Sequence, residues 1–479
     1  MVSSDIDMVA IARRVLRDNG FTADLPAELA ATVAAHDPHE AARDLRGLAW
    51  SSIDNAESRD LDQIEVAEAL PGGAIRVWVG IADVDALVPR GSPIDRHAAI
   101  NTTTLYTGVE IFPMLPEVLS VGRTSLLEGQ DRLAVVTELV VERDGAIDDR
   151  QTRVYPARVV NHAKLAYERV GAWLEGHGPT PAAARIVEQL RLQDEAAQRL
   201  RRLRHDHGAL ELETVEARPV TAHGRVVDLE LVHKNRAREL IEDLMIAANG
   251  ATARYLEQRG VASIRRVVRA PRRWDRIQDL AAGLGATLPD APDPRALAGF
   301  LAERRRIDRA RFADLSLSVV KLLGPGAYQL QRPGEPDQGH FGLAVDDYAH
   351  STAPNRRYAD LVTQRLLKAS AATAACPYRD DELVAIAARC TERQDAARKV
   401  ERTMRKVAAA SLLSSRIGDT FDAIVTGAAA KGTFVRLLHP PAEGRVVSGE
   451  HGLDVGDRVR VRLVATEPSR GFIDFEATP

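Results

Sequence analysis

The chain has 479 residues, of which 45% are hydrophobic and 28% are charged, and its formal net charge is −4 at pH 7. The length is sufficient for about three domains of roughly 150 residues, and the composition excludes a mainly disordered chain, which would contain fewer apolar side chains. Cys376 and Cys390 are the only cysteines, which excludes a disulfide framework, zinc fingers and iron–sulfur clusters.

The first 45 residues predict a small helical region. Apolar residues recur at helical spacing from Val9 to Leu16, Gly20 is a stop signal, and Pro26 precedes a second helical pattern. Acidic residues lie where a secretory signal needs positive charge, and no run of the chain reaches about 18 apolar residues. We therefore expect a cytoplasmic protein with no membrane partner.

Mixed helix and strand patterns follow. The runs 64–70 and 75–84 predict a β-hairpin, because Pro71, Gly72 and Gly73 form a strong turn signal between them. Further strands are expected at 225–232, 327–331 and 340–349. Long helices are expected at 180–206, 234–258, 355–371 and 381–416. This mixture predicts one α+β domain.

After Gly418 the pattern becomes purely β. Alternating segments, separated by glycine and proline, lie at 420–426, 432–438, 458–465 and 471–476. About 60 residues of short strands are typical of a five-stranded OB barrel. The expected fold class is therefore α+β multidomain: a helical region at 1–45, a mixed α/β domain at 46–417 and an OB-type barrel at 418–479.

The strongest local signal is an acidic loop with the sequence SIDNAESRDLDQ at 52–63. Its carboxylates Asp54, Asp60 and Asp62 can point at one centre if the loop folds back, and hard divalent cations such as Mg²⁺ need several oxygen ligands. A calcium loop of the EF-hand type is excluded, because its glycine and terminal glutamate are absent. A solvated acidic loop is the competing interpretation.

A second segment, STAPNRRYADL at 351–361, favours an anionic ligand. Pro354 predicts a turn, and Arg356 and Arg357 fall at the expected start of a helix, where positive charge opposes the macrodipole. An ion pair between Arg356 and Asp360, four residues apart, would explain one arginine but not both.

These two segments and four others resemble, in the same order, motifs of the RNB-domain exoribonucleases of the ribonuclease II and R family. The others are IADV at 81–84, IFPMLP at 111–116, EDLMIAAN at 242–249 and HFGL at 340–343. The resemblance covers about residues 48–410, and several spaced motifs in one order are more specific than any single motif. It implies that 46–417 is an RNB catalytic domain, and the barrel resembles the S1 domain that follows it in this family.

The resemblance implies a Mg²⁺ site and a catalytic centre. Asp54, Asp60 and Asp62 match three of the family's four metal-binding aspartates. Gln63 occupies the fourth position, where an amide oxygen can ligate but one negative charge is missing. Asp60 and Asp62 are also expected to be catalytic, together with Arg356, which matches the arginine that clamps the scissile phosphate.

The resemblance also implies groups that hold the substrate. Tyr106 matches the tyrosine that stacks on the terminal base, and Arg357 and Tyr358 are expected to contact the substrate as well. The family's usual motif reads SPIRRY, from which Ala353 and Asn355 depart.

Two further differences bear on RNA binding. The family usually carries cold-shock barrels ahead of the RNB domain, whereas about 45 helical residues precede it here, which predicts a weaker grip on long RNA. No Phe, Trp or Tyr occurs between Trp173 and Tyr255, a region where the family has a second stacking aromatic. Arg218 lies near that position, and a guanidinium plane can stack on a base.

The implied function is processive 3′-to-5′ hydrolysis of single-stranded RNA by a monomeric, Mg²⁺-dependent enzyme that releases nucleoside 5′-monophosphates. The alternative from a different class is an RNB-fold RNA-binding protein whose chemistry has decayed, which Gln63 and the altered SPIRRY segment favour. The three aspartates and Arg356 favour the enzyme. A small-molecule enzyme has little support, because a glycine-rich phosphate loop is absent.

Overall fold

The computed structural model describes residues 7–26, 28–29, 42–213, 217–222, 225–231, 234–309, 311–336, 338–429, 432–453 and 455–478. Of the second helix expected after Pro26, only residues 28–29 belong to this part, so most of that prediction lies outside the described residues. Within the same ranges, no helix combines the length and apolarity needed to span a bilayer.

Helices and short strands alternate ahead of the C-terminal barrel. The strands are β1 (Arg43–Asp44), β2 (Ser52–Asp54), β3 (Gln63–Ala69), β4 (Ile75–Ala82), β5 (Leu105–Tyr106), β6 (Ile111–Phe112), β7 (Asp131–Val141), β8 (Arg153–Val160), β9 (Lys164–Ala166), β10 (Ala217–Ala222), β11 (Arg225–Leu231), β12 (Ser263–Val267) and β13 (Ala327–Gln331). The α-helices of eight or more residues are α1 (Met8–Asp18), α2 (Pro93–Asn101), α3 (Tyr167–Leu174), α4 (Ala184–Asp206), α5 (Arg236–Gln258), α6 (Trp274–Gly283), α7 (Pro294–Ile307), α8 (Phe312–Leu323), α9 (Tyr358–Ala371) and α10 (Asp380–Leu413).

The central layer is a five-stranded sheet of order β1-β8-β7-β4-β3, in which only β1 and β8 run parallel. Helix α4 packs against β3, β4 and β7, and α5 packs against α4, β4 and β7. A Cβ at Gly145 would lie 2.2 Å from the carbonyl oxygen of Arg199 in α4, so the glycine lets the loop after β7 touch the helix backbone. The main core therefore lies between this sheet and its helices.

The EDLMIAAN motif lies in α5, whose ends follow from local chemistry. The side chain of Asn235 caps the start by accepting a hydrogen bond from the amide of Arg238. After the last turn, Gly260 has a φ of 70°, and the amide of Val261 donates to the carbonyl of Leu256. The helix is apolar and buried along most of its length, which makes it a core helix.

The C-terminal strands β14 (Thr420–Ala429), β15 (Gly432–Leu437), β16 (Glu443–Ser448), β17 (Arg458–Glu467) and β18 (Phe472–Thr478) close into a barrel of order β14-β15-β16-β18-β17. Barrel residues such as Phe421 and Val461 belong to one apolar cluster with Met404 of α10 and Leu16 of α1. The long helix α10 therefore carries both the N-terminal helix and the barrel.

The expected fold class is confirmed: a mixed α/β domain is preceded by a helix and followed by a five-stranded barrel. The hairpin at Pro71–Gly73, the strand at Ala327–Gln331 and the four long helices are present, with ends shifted by a few residues. The exact domain limits at 45 and 417 stay predictions.

The prediction of a strand at 340–349 is wrong. The segment instead contains a 3₁₀ turn at Phe341–Leu343, which the side chain of His340 caps. Gly339 and Ala344 on either side have φ values of 62° and 50°, which an extended chain does not adopt.

Candidate active site

Strand β2 and its parallel partner β9 position the acidic loop. Asp54 is the last residue of β2, and the loop 55–62 returns to β3. The ammonium group of Lys164, at the start of β9, donates to the carbonyl oxygens of Ala56 at 2.9 Å and Ser58 at 2.5 Å. The backbone of the loop is therefore fixed by hydrogen bonds independent of any ligand.

Asp62 joins the acidic loop to the arginine segment. Its Oδ1 accepts a hydrogen bond from the amide of Asn355 at 3.1 Å, and its Oδ2 accepts one from Nε of Arg356 at 3.2 Å. The side chain of Asp62 is 2% exposed, whereas that of Arg356 is 43% exposed. The arginine can therefore hold the buried carboxylate and still present part of its guanidinium to a substrate.

Hydrogen bonds within the segment and to Thr104 and Thr124 hold the segment that carries Arg356. Its amide donates to the carbonyl of Ala353 at 3.2 Å, and its carbonyl accepts from the amide of Thr104 at 3.0 Å. The hydroxyl of Thr124 donates to the side-chain oxygen of Asn355 at 2.6 Å. These bonds replace the helical ones expected from residue 355, so α9 begins only at Tyr358 and the two arginines precede it.

Burial dominates the electrostatics of Asp62. The pKa of its carboxyl is raised to about 7, first by desolvation and also by repulsion from Asp60, although the charge of Arg356 and the amide of Asn355 act to lower it. A carboxyl with this pKa can accept and release a proton near neutral pH, which is the property required of a general base.

Asp60 and Tyr106 meet at the mouth of the same site. The hydroxyl of Tyr106, at the end of β5, donates to Oδ2 of Asp60 at 3.1 Å. The tyrosine is 41% exposed, which is unusual for a large aromatic side chain. Both residues line a cavity of about 1090 Å³, together with Asn355. An open aromatic face therefore lies next to the acidic loop.

The cavity runs between the acidic loop, the β5–β6 hairpin, β10 and α10. Gly108 in the hairpin is so close to β10 that a Cβ would lie 2.9 Å from Cγ of Pro219. The neighbouring Arg218 lines the cavity and forms an ion pair with Glu57 at 2.5 Å. Arg405 of α10 lines it as well. The arginine expected to substitute for a second aromatic is thus in the same cavity as Tyr106.

The structure places two other expected substrate residues away from this cavity. Arg357 forms two hydrogen bonds with Asp360, at 2.9 and 2.7 Å, so Asp360 pairs with this arginine and not with Arg356. Tyr358 is 5% exposed and donates its hydroxyl to Asp95. Their expected contacts with substrate stay predictions, and the placement favours structural roles.

The predicted metal ligands are only partly brought together. Asp54 accepts hydrogen bonds from the amide of Asn55 and the hydroxyl of Ser58, and Gln63 is a buried residue at the start of β3, opposite Ile81. Across the described ranges, no group of three or more His, Cys, Asp and Glu side chains is arranged as a metal site. The donors nevertheless fit Mg²⁺ chemically, since hard carboxylate oxygens are the ligands that this cation prefers.

Sequence reasoning missed Glu65 in β3. Its side chain is fully buried, neither carboxylate oxygen has a hydrogen-bond partner among the described residues, and burial raises its pKa well above the usual range, with a further increase from Asp54. The signal in the sequence is a glutamate within the apolar run of a hairpin strand. A glutamate at such a position can be recognised as a candidate site residue only when the burial of both faces of the strand is known.

Two protein families together match most of the chain. Residues 42–372 match the RNB domain, and residues 419–478 match the C-terminal S1 domain of RNase II-type exonucleases. Ribonuclease R of Escherichia coli (strain K12) is 30% identical over 470 residues, which covers 90% of this chain and 57% of that protein. The chain therefore spans little more than half the length of this relative.

Solved structures share the fold. Mycoplasma genitalium RNase R in complex with ribose methylated single-stranded RNA matches with a TM-score of 0.89 and 23% identity, over 99% of this chain and 79% of that chain. Yeast Ssd1, described as a pseudonuclease, matches with a TM-score of 0.70 and 16% identity, over 97% of this chain and 58% of that chain.

Proposed function

Because the chain belongs to the RNB-domain exoribonuclease family of the ribonuclease II/R type, we propose that it hydrolyses single-stranded RNA from the 3′ end and releases nucleoside 5′-monophosphates one at a time. The observation that carries this proposal is the contact between Asp62 and Arg356 beside a cavity that Tyr106 and Asp60 line. It supports the proposal because a buried carboxylate, a partly exposed guanidinium and an exposed tyrosine ring lie near one another.

The RNA would enter as an unpaired strand, because only unpaired bases expose faces for stacking. Tyr106 offers one such face, and Arg218 across the cavity offers a guanidinium plane for a second base. Several hydroxyl and amide groups also line the cavity, among them Thr104 and Asn355. Such groups can bind ribose hydroxyls, which distinguish RNA from DNA.

Arg356 would bind the scissile phosphate and stabilise the charge that develops on it. The exposed part of the Arg356 guanidinium can bind a phosphate while Nε keeps its hydrogen bond to Asp62, so the carboxylate would be held next to the phosphate. Asp62 can then accept a proton from the attacking water. The new bond joins phosphorus to the water oxygen, the bond from phosphorus to the 3′ oxygen breaks, and that oxygen takes up a proton.

We also propose that the reaction depends on Mg²⁺. Asp54, Asp60 and Asp62 would hold the cation, with Gln63 as a neutral oxygen ligand. When bound, Mg²⁺ lowers the pKa of a water molecule and screens charge on the phosphate. We further propose a monomeric, cytoplasmic enzyme with the catalytic domain at 46–417 and an S1-like barrel at 418–479.

The proposed function is tested with a 5′-labelled oligo(A) in the presence of Mg²⁺ or of EDTA. We expect the labelled RNA to be shortened from its unlabelled 3′ end to a short limit product with Mg²⁺ and to stay intact with EDTA. An RNA that carries a 3′-terminal phosphate blocks the end that the enzyme needs and is the matched substrate control. Internal cuts in this blocked RNA would contradict an exonuclease.

The second candidate is an RNA-binding protein of the same fold without hydrolytic activity. Gln63 in place of a carboxylate favours it, and a pseudonuclease shares the fold. The retained Asp62–Arg356 contact favours the enzyme. Stable binding of oligo(A) with no shortening in Mg²⁺ would identify this second function.

A further inference from the structure

The β5–β6 hairpin, which carries Tyr106, is tied to the N-terminal segment, by which we mean α1 and the turn after it, residues 8–22. Nη2 of Arg13 in α1 donates to Oε1 of Glu110 at 2.9 Å, and both side chains are partly buried. The guanidinium carbon of Arg13 also lies 5.7 Å from the centre of the Phe112 ring. The second guanidinium nitrogen, Nη1, donates to Asp24. One arginine therefore contacts the returning side of the hairpin at two residues.

A second set of contacts lies just before the hairpin. Asn101 is the last residue of α2, four residues ahead of β5. Its Oδ1 accepts from the amide of Thr22 at 3.0 Å, and its Nδ2 donates to the carbonyl of Thr22 at 2.9 Å. Asn101 is buried, so water competes little for these bonds. The N-terminal segment therefore holds the chain on both sides of Tyr106.

Apolar packing decides which way the ring of Tyr106 faces. Leu105 and Phe112 are directly paired, are buried, and belong to the same apolar cluster as Met8 and Leu16 of α1. Successive residues of a strand point to opposite faces. Tyr106 therefore faces away from this cluster, where it is exposed and lines the cavity.

The N-terminal segment is itself anchored to α10. Nη1 of Arg393 donates to the carbonyls of Asn19 at 3.2 Å and Gly20 at 2.7 Å. Gly20 has a φ of 76°, and a Cβ there would lie 2.9 Å from the same nitrogen, so a glycine is required at this close approach. Helix α10 also contacts β5 directly. The hairpin therefore has a second support, and loss of the N-terminal contacts should loosen it without unfolding the domain.

We propose that the N-terminal segment positions Tyr106 for stacking on the terminal base of a bound RNA, and that Arg13 is a positioning residue that acts through the β5–β6 hairpin. The segment lies outside both family matches, which begin at residues 42 and 419. The inference rests on the proposed function for the role of Tyr106. The contacts between the segment and the hairpin do not depend on that function.

The first test follows amide hydrogen exchange by mass spectrometry in the RNA-free protein. Arg13→Gln removes the charge that holds Glu110, and exchange at 105–112 should become faster while exchange in β7 stays the same. Arg17→Gln, at an exposed position of the same helix, removes the same charge and is the matched control. Ion pairs near the surface contribute little to folding, so both variants should stay folded.

The second test measures binding of a five-nucleotide RNA by fluorescence anisotropy in an Asp62→Asn background. Arg13→Gln should weaken binding roughly three- to tenfold, the range typical of coupling between residues in contact. Arg13→Lys should recover part of the loss, because one ammonium group can hold Glu110 but lacks the fork that also reaches Asp24. Arg17→Gln should bind like the parent. An equal loss in Arg17→Gln would mean that only the charge of α1 matters, and would overturn the proposal.

A double-mutant cycle separates positioning of Tyr106 from a general effect on the fold. In a Tyr106→Ala background, Arg13→Gln should weaken binding no further, because the ring through which it acts is gone. The same loss with and without the ring would overturn the proposal, as would unchanged exchange at 105–112.

These measurements also distinguish this inference from the proposed function. Faster exchange at 105–112, together with no RNA binding by the parent protein, would leave the support of the hairpin standing and reject the proposed function. Hydrolysis and RNA binding that Arg13→Gln does not alter would reject the inference and leave the proposed function standing.

Discussion

Nε of Arg356 donates a hydrogen bond to Oδ2 of Asp62 at 3.2 Å, across 294 residues of sequence. The two side chains differ in burial, since the aspartate is inaccessible and the arginine is partly open. A substrate would therefore reach the pair from the arginine side.

Asp62→Asn should reduce hydrolysis of oligo(A) at least about a hundredfold, because an amide cannot accept the proton from water. RNA affinity should be unchanged or higher, since a negative charge near the phosphate is removed. Initial rates and fluorescence anisotropy measure the two effects. A parallel loss of rate and affinity would show that Asp62 acts through RNA binding or folding.

Arg356→Ala should reduce turnover by roughly 10²–10³-fold and affect RNA affinity far less, because the guanidinium acts mainly on charge in the transition state. Arg356→Lys should recover little, since a point charge lacks the fork that holds the phosphate. Arg379→Lys, at an exposed position before α10, is the control. Full activity of Arg356→Lys would mean that only net charge matters.

Tyr106 has two separable parts, a ring and a hydroxyl that binds Asp60. In an Asp62→Asn background, Tyr106→Ala should weaken binding of a five-nucleotide RNA by roughly 1–3 kcal/mol, the usual contribution of one stacked base. Tyr106→Phe keeps the ring and should bind like the parent. If both substitutions weaken binding equally, the hydroxyl rather than stacking holds the RNA end.

The barrel exposes the rings of Phe434 and Phe472. These rings could stack on RNA bases that lie far from the active site. The double variant Phe434→Ala/Phe472→Ala should weaken binding of a thirty-nucleotide RNA and leave cleavage of a five-nucleotide RNA unchanged. Substitution is preferable to deletion of 419–479, because the barrel shares an apolar cluster with α10. Equal effects on both RNA lengths would refute a remote role for the barrel.

Asp62 should also make the stability of the metal-free protein depend on pH. Its pKa of about 7 in the folded state exceeds the ordinary value near 4, so folding favours the protonated form. This contribution is complete below about pH 4 and is lost as the pH rises through 7. In EDTA, Tm should therefore fall between about pH 5 and pH 8.

Asp62→Asn should flatten this fall in Tm, and Asp290→Asn, an exposed carboxylate, should not. Part of the slope should persist in Asp62→Asn, because burial also raises the pKa of Glu65. An identical slope in the wild type and Asp62→Asn would mean that Asp62 is ionised throughout this range.

Structural features that depend on neighbouring residues in the chain could be predicted from the sequence. The turn at Pro71–Gly73 specified its hairpin, and the acidic loop and the arginine segment each lie within a dozen residues, so their chemistry was visible before the fold. Asp360 shows the limit of this approach. Its pairing with Arg357 instead of Arg356 depends on where α9 begins, which contacts with Asp62 and Thr104 decide.

The burial of individual polar side chains could not be predicted from the sequence either. Tyr358 belongs to a motif from which a contact with substrate was expected, yet its ring lies in the core. Glu65 reads as a polar position in an alternating strand, yet packing of α4 on β3 removes it from water. In both cases a distant element determines whether a polar group faces substrate, solvent or the interior.

The central claim is that the Asp62–Arg356 centre transfers a terminal nucleotide to water. It is tested most directly by degrading oligo(A) in H₂¹⁸O with Mg²⁺ and analysing the released mononucleotide by mass spectrometry, for the wild type and Asp62→Asn. We predict 5′-AMP with one ¹⁸O in its phosphate from the wild type and almost none from the variant. AMP without ¹⁸O, release of a nucleoside diphosphate, or equal product from both proteins would contradict the account.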